Sequence, residues 1–241
     1  MSRAGKPGAT PRRRAAWLMP LAAFVVAAGL SAAVLAYFSL GPARGLFGEN
    51  PAPTDSTDAV ALTIGDTGFH IPASYVLYAS ARRGCDMNEL EMIALLPDLQ
   101  GYSLDLAQDF SSNAPDSRVL NMTLREERDA PPDQDRLDEL YLPQVEDREG
   151  GSGPHGLTRY SFRDDSDYRD RELFVGGTPA GQTLLLCEIE SDAQPTPSCE
   201  GEARVAADLM VQYRFRRAHL ERWSDIDAGL RALTGAFMDV R

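Results

Sequence analysis

From Val205 to Arg216 an apolar set of positions alternates with a mostly polar one. Val205, Ala207, Leu209, Val211, Tyr213 and Phe215 face one way; Ala206, Asp208, Met210, Gln212, Arg214 and Arg216 face the other. Period two predicts a strand with one buried and one wetter face, as antiparallel sheets allow. Leu120, Met122 and Leu124 repeat the pattern, and Leu90, Met92, Ala94 and Leu96 do so more weakly. Residues 183–190 (TLLLCEIE) form a denser apolar run, expected as a central strand. Shorter strand candidates are 59–64, 68–71, 157–163 and 171–175.

The period changes at the C-terminus. Trp223, Ile226, Leu230, Leu233 and Phe237 mark one helical stripe, suited to covering a sheet. Ser224 and Asp227 approximate a capping box at its start. Residues 103–110 and 133–142 are further helix candidates. Strands followed by a covering helix, without βαβ alternation, give an α+β fold with a mainly antiparallel sheet.

An uncharged stretch, 15–43, precedes all of this. As a helix, residues 15–40 would extend about 39 Å, enough to cross a hydrocarbon core of about 30 Å with tilt. Trp17 sits at one end and Tyr37–Phe38 at the other, where interfacial aromatic residues belong. A transmembrane helix or uncleaved signal anchor is expected, with Arg12–Arg14 holding the N-terminus in the cytoplasm. The competing reading is a signal peptide cleaved after Val34-Leu35-Ala36, which would release the domain as a secreted protein. The apolar run is longer than a usual h-region, which favours the anchor. Ala28, Ala32 and Ala36 place small side chains one turn apart, a candidate face for self-association in the membrane.

Charge sharpens this topology. The 241-residue chain has a net charge of −12, with five basic residues and no acid in its first 14 positions. From Arg44 onward, 19 basic residues oppose 36 acidic ones, which is −17. The division is a basic cytoplasmic tip (1–14), the span (15–40), a Pro/Gly/Ser/Thr-rich linker (41–58) and one exported α+β domain (59–241). Such an acidic body lacks the basic footprint that nucleic acid requires.

Three cysteines are too few for a disulfide scaffold. Cys187 and Cys199 flank a loop signal and are the natural disulfide in an exported compartment, worth about 3 kcal/mol by loop closure. Cys85, after Arg82-Arg83-Gly84, is the odd thiol, a candidate for intermolecular pairing. Tyr75 and Tyr78, beside a Pro-led turn, are candidate groove aromatics.

Chemistry-bearing motifs are missing. The three histidines lack zinc-helix spacing, and Gly150-Gly151-Ser152-Gly153-Pro154 fails as a nucleophile elbow at its last position. The acidic run 164–170 lacks the Gly and terminal Glu of a calcium loop. No catalytic residue, metal site or cofactor is therefore assigned. The expectation is a single-pass envelope protein in the cytoplasmic membrane whose acidic extracytoplasmic domain binds a protein or peptide partner. The alternative is an exported hydrolase of unrecognised type, with His155 or His219 as base.

Overall fold

The computed structural model describes residues 24, 26–31, 50–179 and 181–239. The chain divides into two units, Met1–Asn50 and Pro51–Arg241. In the first, residues 26–31 are helical, with exposed Phe24, Val26 and Leu30. Among the described residues no helix is long and apolar enough to cross a membrane. Most of the expected span, with Trp17, Ala32, Ala36, Tyr37 and Phe38, lies outside the described residues.

The second unit is α+β. Its strands are β1 (Ala59–Ile64), β2 (Thr67–Pro72), β3 (Asp86–Met87), β4 (Glu89–Leu95), β5 (Val119–Glu126) and β6 (Gly151–Ser152). They continue with β7 (Thr158–Ser161), β8 (Arg171–Thr178), β9 (Gly181–Glu188), β10 (Ser198–Ala206) and β11 (Leu209–Arg216). An eight-stranded sheet runs β4-β5-β11-β10-β9-β8-β7-β6, antiparallel at every step. A smaller sheet runs β2-β1-β3, with β3 parallel to β1.

One face of the large sheet is sealed. Leu120, Met122 and Leu124 on β5, and Leu209, Val211, Tyr213 and Phe215 on β11, are buried there. They share a continuous core with Leu62, Ile64, Phe69 and Ile71 of the small sheet and with the C-terminal helix, Trp223–Phe237. That helix buries Trp223, Ile226, Leu230 and Phe237, the stripe its spacing predicts. The region Pro51–Asp58, assigned to the linker by composition, runs along this unit: Ala52 N–H donates to Leu77 O, and Asp58 O accepts from Ala73 N–H.

Two local expectations are corrected. Residues 205–216 are not one strand; β10 ends at Ala206, and a turn at Ala207–Asp208 leads into β11. A bulge between Arg204 and Ala206 pairs odd-numbered residues of β10 with odd-numbered residues of β11. The alternation therefore passes through the turn without a change of phase, and the hairpin reads as one strand. The capping box at the C-terminal helix is also not formed. The helix starts at Trp223 after Arg222 with no side-chain cap, and Asp227 pairs with Arg231 instead.

Candidate functional site

The opposite face of the large sheet is divided between two chemistries. Cross-strand partners share a face, so the pairing register traces one row across six strands: Asn121, Arg214, Glu200, Leu186, Leu173 and Tyr160. The row begins polar and ends apolar. Its apolar half, on β7–β9, is covered by Leu137, Tyr141 and Val145, which pack on Leu173, Leu184 and Leu186. These covering residues come from a helical segment, Asp133–Asp135 continuing as the π-turn Arg136–Tyr141, and from the chain just beyond it. Burial raises the Tyr141 phenol and the Asp133 carboxyl above their ordinary pKa ranges, against the lowering influence of Arg136 on both.

The polar half, on β5, β11 and β10, is a ladder of charges, while β4 sets the buried Ile93 opposite Asn121. Arg125 donates to Glu127 (2.8 Å), Glu202 (3.0 Å) and Gln212 (3.0 Å). Glu202 also accepts from Arg136 at 2.8 Å, which ties the helical segment to the sheet. Arg214 reaches Glu188 (3.1 Å) and Glu200 (3.8 Å), and Glu200 also pairs with Arg171 at 3.0 Å. Glu89, Glu91, Asn121 and Arg214 are exposed on this half.

At the end of the ladder the sheet opens into a pocket of about 360 Å³. Val119 and Asn121 of β5, Arg214 and Arg216 of β11 and Ser198 of β10 form its floor. Phe110, Ser112 and Asn113 supply a wall. Phe110 closes the short helix Ala107–Phe110 and packs on Tyr102 with ring centres 5.3 Å apart. Within the pocket Ser117 and Ser198 are buried, at 4% and 3% exposure. Arg216 donates from Nη1 to Thr196 O (2.9 Å) and Ser198 Oγ (3.2 Å), both neutral acceptors.

The residues singled out in the sequence lie elsewhere. Cys187 and Cys199 are directly paired across β9 and β10 and form a disulfide, fully buried. Cys85 is free and exposed beside β3. Tyr75 donates its hydroxyl to Leu99 O (3.0 Å) and meets Phe237 edge-on at 5.1 Å, a packing role. Tyr78 bridges to Pro51. His155 sits in the left-handed region (φ 56°) and gives its carbonyl to Trp223 Nε1–H at 3.2 Å. The His219 ring contacts the carbonyls of Asp116 and Ser117, each at 3.1 Å. Neither ring meets a serine hydroxyl or carboxylate among the described residues. His70 does pair with a carboxylate, Asp239, at 2.5 Å, with both side chains about half exposed.

Sequence reasoning did not collect Asn121, Arg214, Arg216 and Glu200 into one site. Each stands at the polar phase of its strand, which is the only signal the sequence carries. Their assembly depends on β5, β11 and β10 being neighbours, which no local pattern encodes.

No protein-family pattern matches this sequence, and no curated protein resembles it in sequence. Solved structures do resemble its fold. Smlt3025, described as an immunity protein of the Stenotrophomonas maltophilia type IV secretion system, superposes with TM-score 0.58 at 13% identity, covering 77% of this chain and 95% of its own. The Neisseria meningitidis iron-regulated outer membrane lipoprotein FrpD superposes with TM-score 0.52 at 12% identity, covering 79% and 97% respectively. At such identities the likeness is one of fold alone.

Proposed function

We propose that this chain is a single-pass envelope protein whose acidic domain binds a protein partner outside the cytoplasmic membrane. In this reading residues 1–14 are cytoplasmic, 15–40 span the bilayer and 41–50 are the free part of the tether. The charge asymmetry supports the orientation, and a buried disulfide suits an oxidising compartment. The fold likeness to an immunity protein and to an outer membrane lipoprotein supports an envelope role built on protein recognition. Self-association through Ala28, Ala32 and Ala36 would add to this role in the membrane.

The observation that carries the proposal is the charged half of the sheet face. One face of the sheet is sealed and half of the other is covered, while β5, β11 and β10 present ion-paired charges, with Glu89 and Glu91 of β4 exposed beside them. Preorganised ion pairs recognise a complementary surface with little further ordering cost. At −17 the domain also attracts a basic partner at long range and speeds encounter at low salt.

The test is capture by the tagged full-length chain from detergent-solubilised membranes. A partner that is retained by the wild type and by Glu221→Arg, but lost on Glu91→Arg or Asn121→Arg in folded protein, supports the proposal. Retention by all variants refutes the use of this face.

A further inference from the structure

The pocket at the end of the charged ladder breaks the electrostatic rule of the domain around it. In a body of −17, its floor presents Arg216 without a carboxylate partner among the described residues. Both hydrogen bonds of Arg216 leave from Nη1, so Nε and Nη2 donate to no described protein atom. Glu188 and Glu200, on the same sheet face, are already engaged by Arg214. Asn121 and Asn113 make no side-chain hydrogen bond to a described residue and line the same pocket. The site therefore holds free donors, from a cation and two amides, while the carboxylates paired on this face are already engaged.

A guanidinium with two free nitrogens, flanked by amide donors, matches a planar carboxylate, which can accept two parallel N–H bonds. The pocket wall adds an apolar contact. Phe110 and Val119 line the pocket and are partly exposed. A free ion would gain nothing from these apolar side chains, whereas a side chain carried on a polypeptide would.

We propose that this pocket takes an aspartate or glutamate side chain of the protein partner. The inference rests on the partner-binding reading above and names its anchoring contact. It also explains how a domain of such acidity selects among basic partners: general attraction is unspecific, and the pocket admits the one whose surface places an acid opposite Arg216.

The test uses the full-length chain in detergent, labelled with ¹⁵N in its arginine side chains, and titrated with acetyl-Gly-Glu-Gly-amide. Saturable shifts of the Arg216 Nε–H signal at millimolar peptide are expected. The Gln peptide should bind at least tenfold more weakly, and Arg216→Gln should abolish the response. Asn121 is exposed and unbonded within the fold, so Asn121→Ala keeps the structure and should weaken binding about fivefold, the effect of one hydrogen bond. Equal binding of the Glu and Gln peptides, or an unchanged response in Arg216→Gln, overturns the proposal. So does tighter binding of inorganic phosphate than of the Glu peptide, which would make the pocket an oxyanion site. The two ideas fail separately. Peptide binding with a partner indifferent to Glu91→Arg defeats the use of the face; a sensitive partner with no peptide binding defeats the pocket.

Discussion

Asp227 and Arg231 form a two-pronged ion pair one turn apart on the C-terminal helix, with Nε–Oδ2 at 2.9 Å and Nη2–Oδ1 at 3.3 Å. Asp227 is 1% exposed, and Arg231 also donates to Arg204 O at 2.7 Å. The pair thus fastens the helix to β10 from inside the core. Removing the cation alone leaves a buried carboxylate without compensation. Arg231→Met should therefore cost about 3–5 kcal/mol in chemical denaturation. Asp227→Leu combined with Arg231→Met should recover most of that loss, since an apolar pair of similar volume is often tolerated. A double variant as unstable as the single one would contradict this account.

The Cys187–Cys199 disulfide joins neighbouring strands and closes a loop with a sequence separation of 12. Replacing both cysteines by alanine should lower stability by about 3 kcal/mol through the freer unfolded chain. Unfolding curves of oxidised wild type and the double variant measure this directly.

Asp133 gives a pH dependence of known sign. Burial, opposed by Arg136 and Arg231, raises its carboxyl pKa in the folded state. The folded protein then binds more protons than the unfolded one between the ordinary carboxylate value and the raised one. Through that window stability falls as pH rises, so above it the ionised Asp133 is a net cost. Asp133→Asn should compare more favourably with wild type at pH 7 than at pH 3, in paired thermal melts. The reverse trend would show that its pairing with Arg136, at 3.4 Å, outweighs burial.

Cys85 reports topology. It is the one free cysteine, and it is exposed, while the other two are in a buried disulfide. A membrane-impermeant maleimide added to intact spheroplasts should label the wild type and not Cys85→Ser. Labelling only after the cells are broken would place the domain on the cytoplasmic side. Non-reducing gels of the same samples test intermolecular pairing: a dimer lost in Cys85→Ser is the expected sign of it.

Legibility in the sequence followed side-chain size. The phase of β5, β11 and the C-terminal helix could be read because large apolar residues mark it. β10 could not, because its core-facing positions are Cys199, Gly201 and Ala203. The space above Gly201 is taken by Tyr213, whose Oη would lie 2.6 Å from any added Cβ. One large residue on β11 thus removes the hydrophobic signature of its neighbour. The charged ladder escaped for a different reason. Arg125, Glu202 and Arg136 come from β5, β10 and the Arg136–Tyr141 turn, so their meeting depends on tertiary register alone.

The small sheet is not finished by its own strands. Phe69 on β2 bridges to Met238, Asp239 N–H donates to Gly68 O, and His70 pairs with Asp239. Contacts made some 170 residues apart close the layer that β1 and β2 begin. A chain emerging N-terminus first therefore holds its opening hairpin with an unsatisfied edge until residue 239 arrives. For this domain the vulnerable interval comes before completion, when β2 is open to chaperones, proteases or a neighbouring chain.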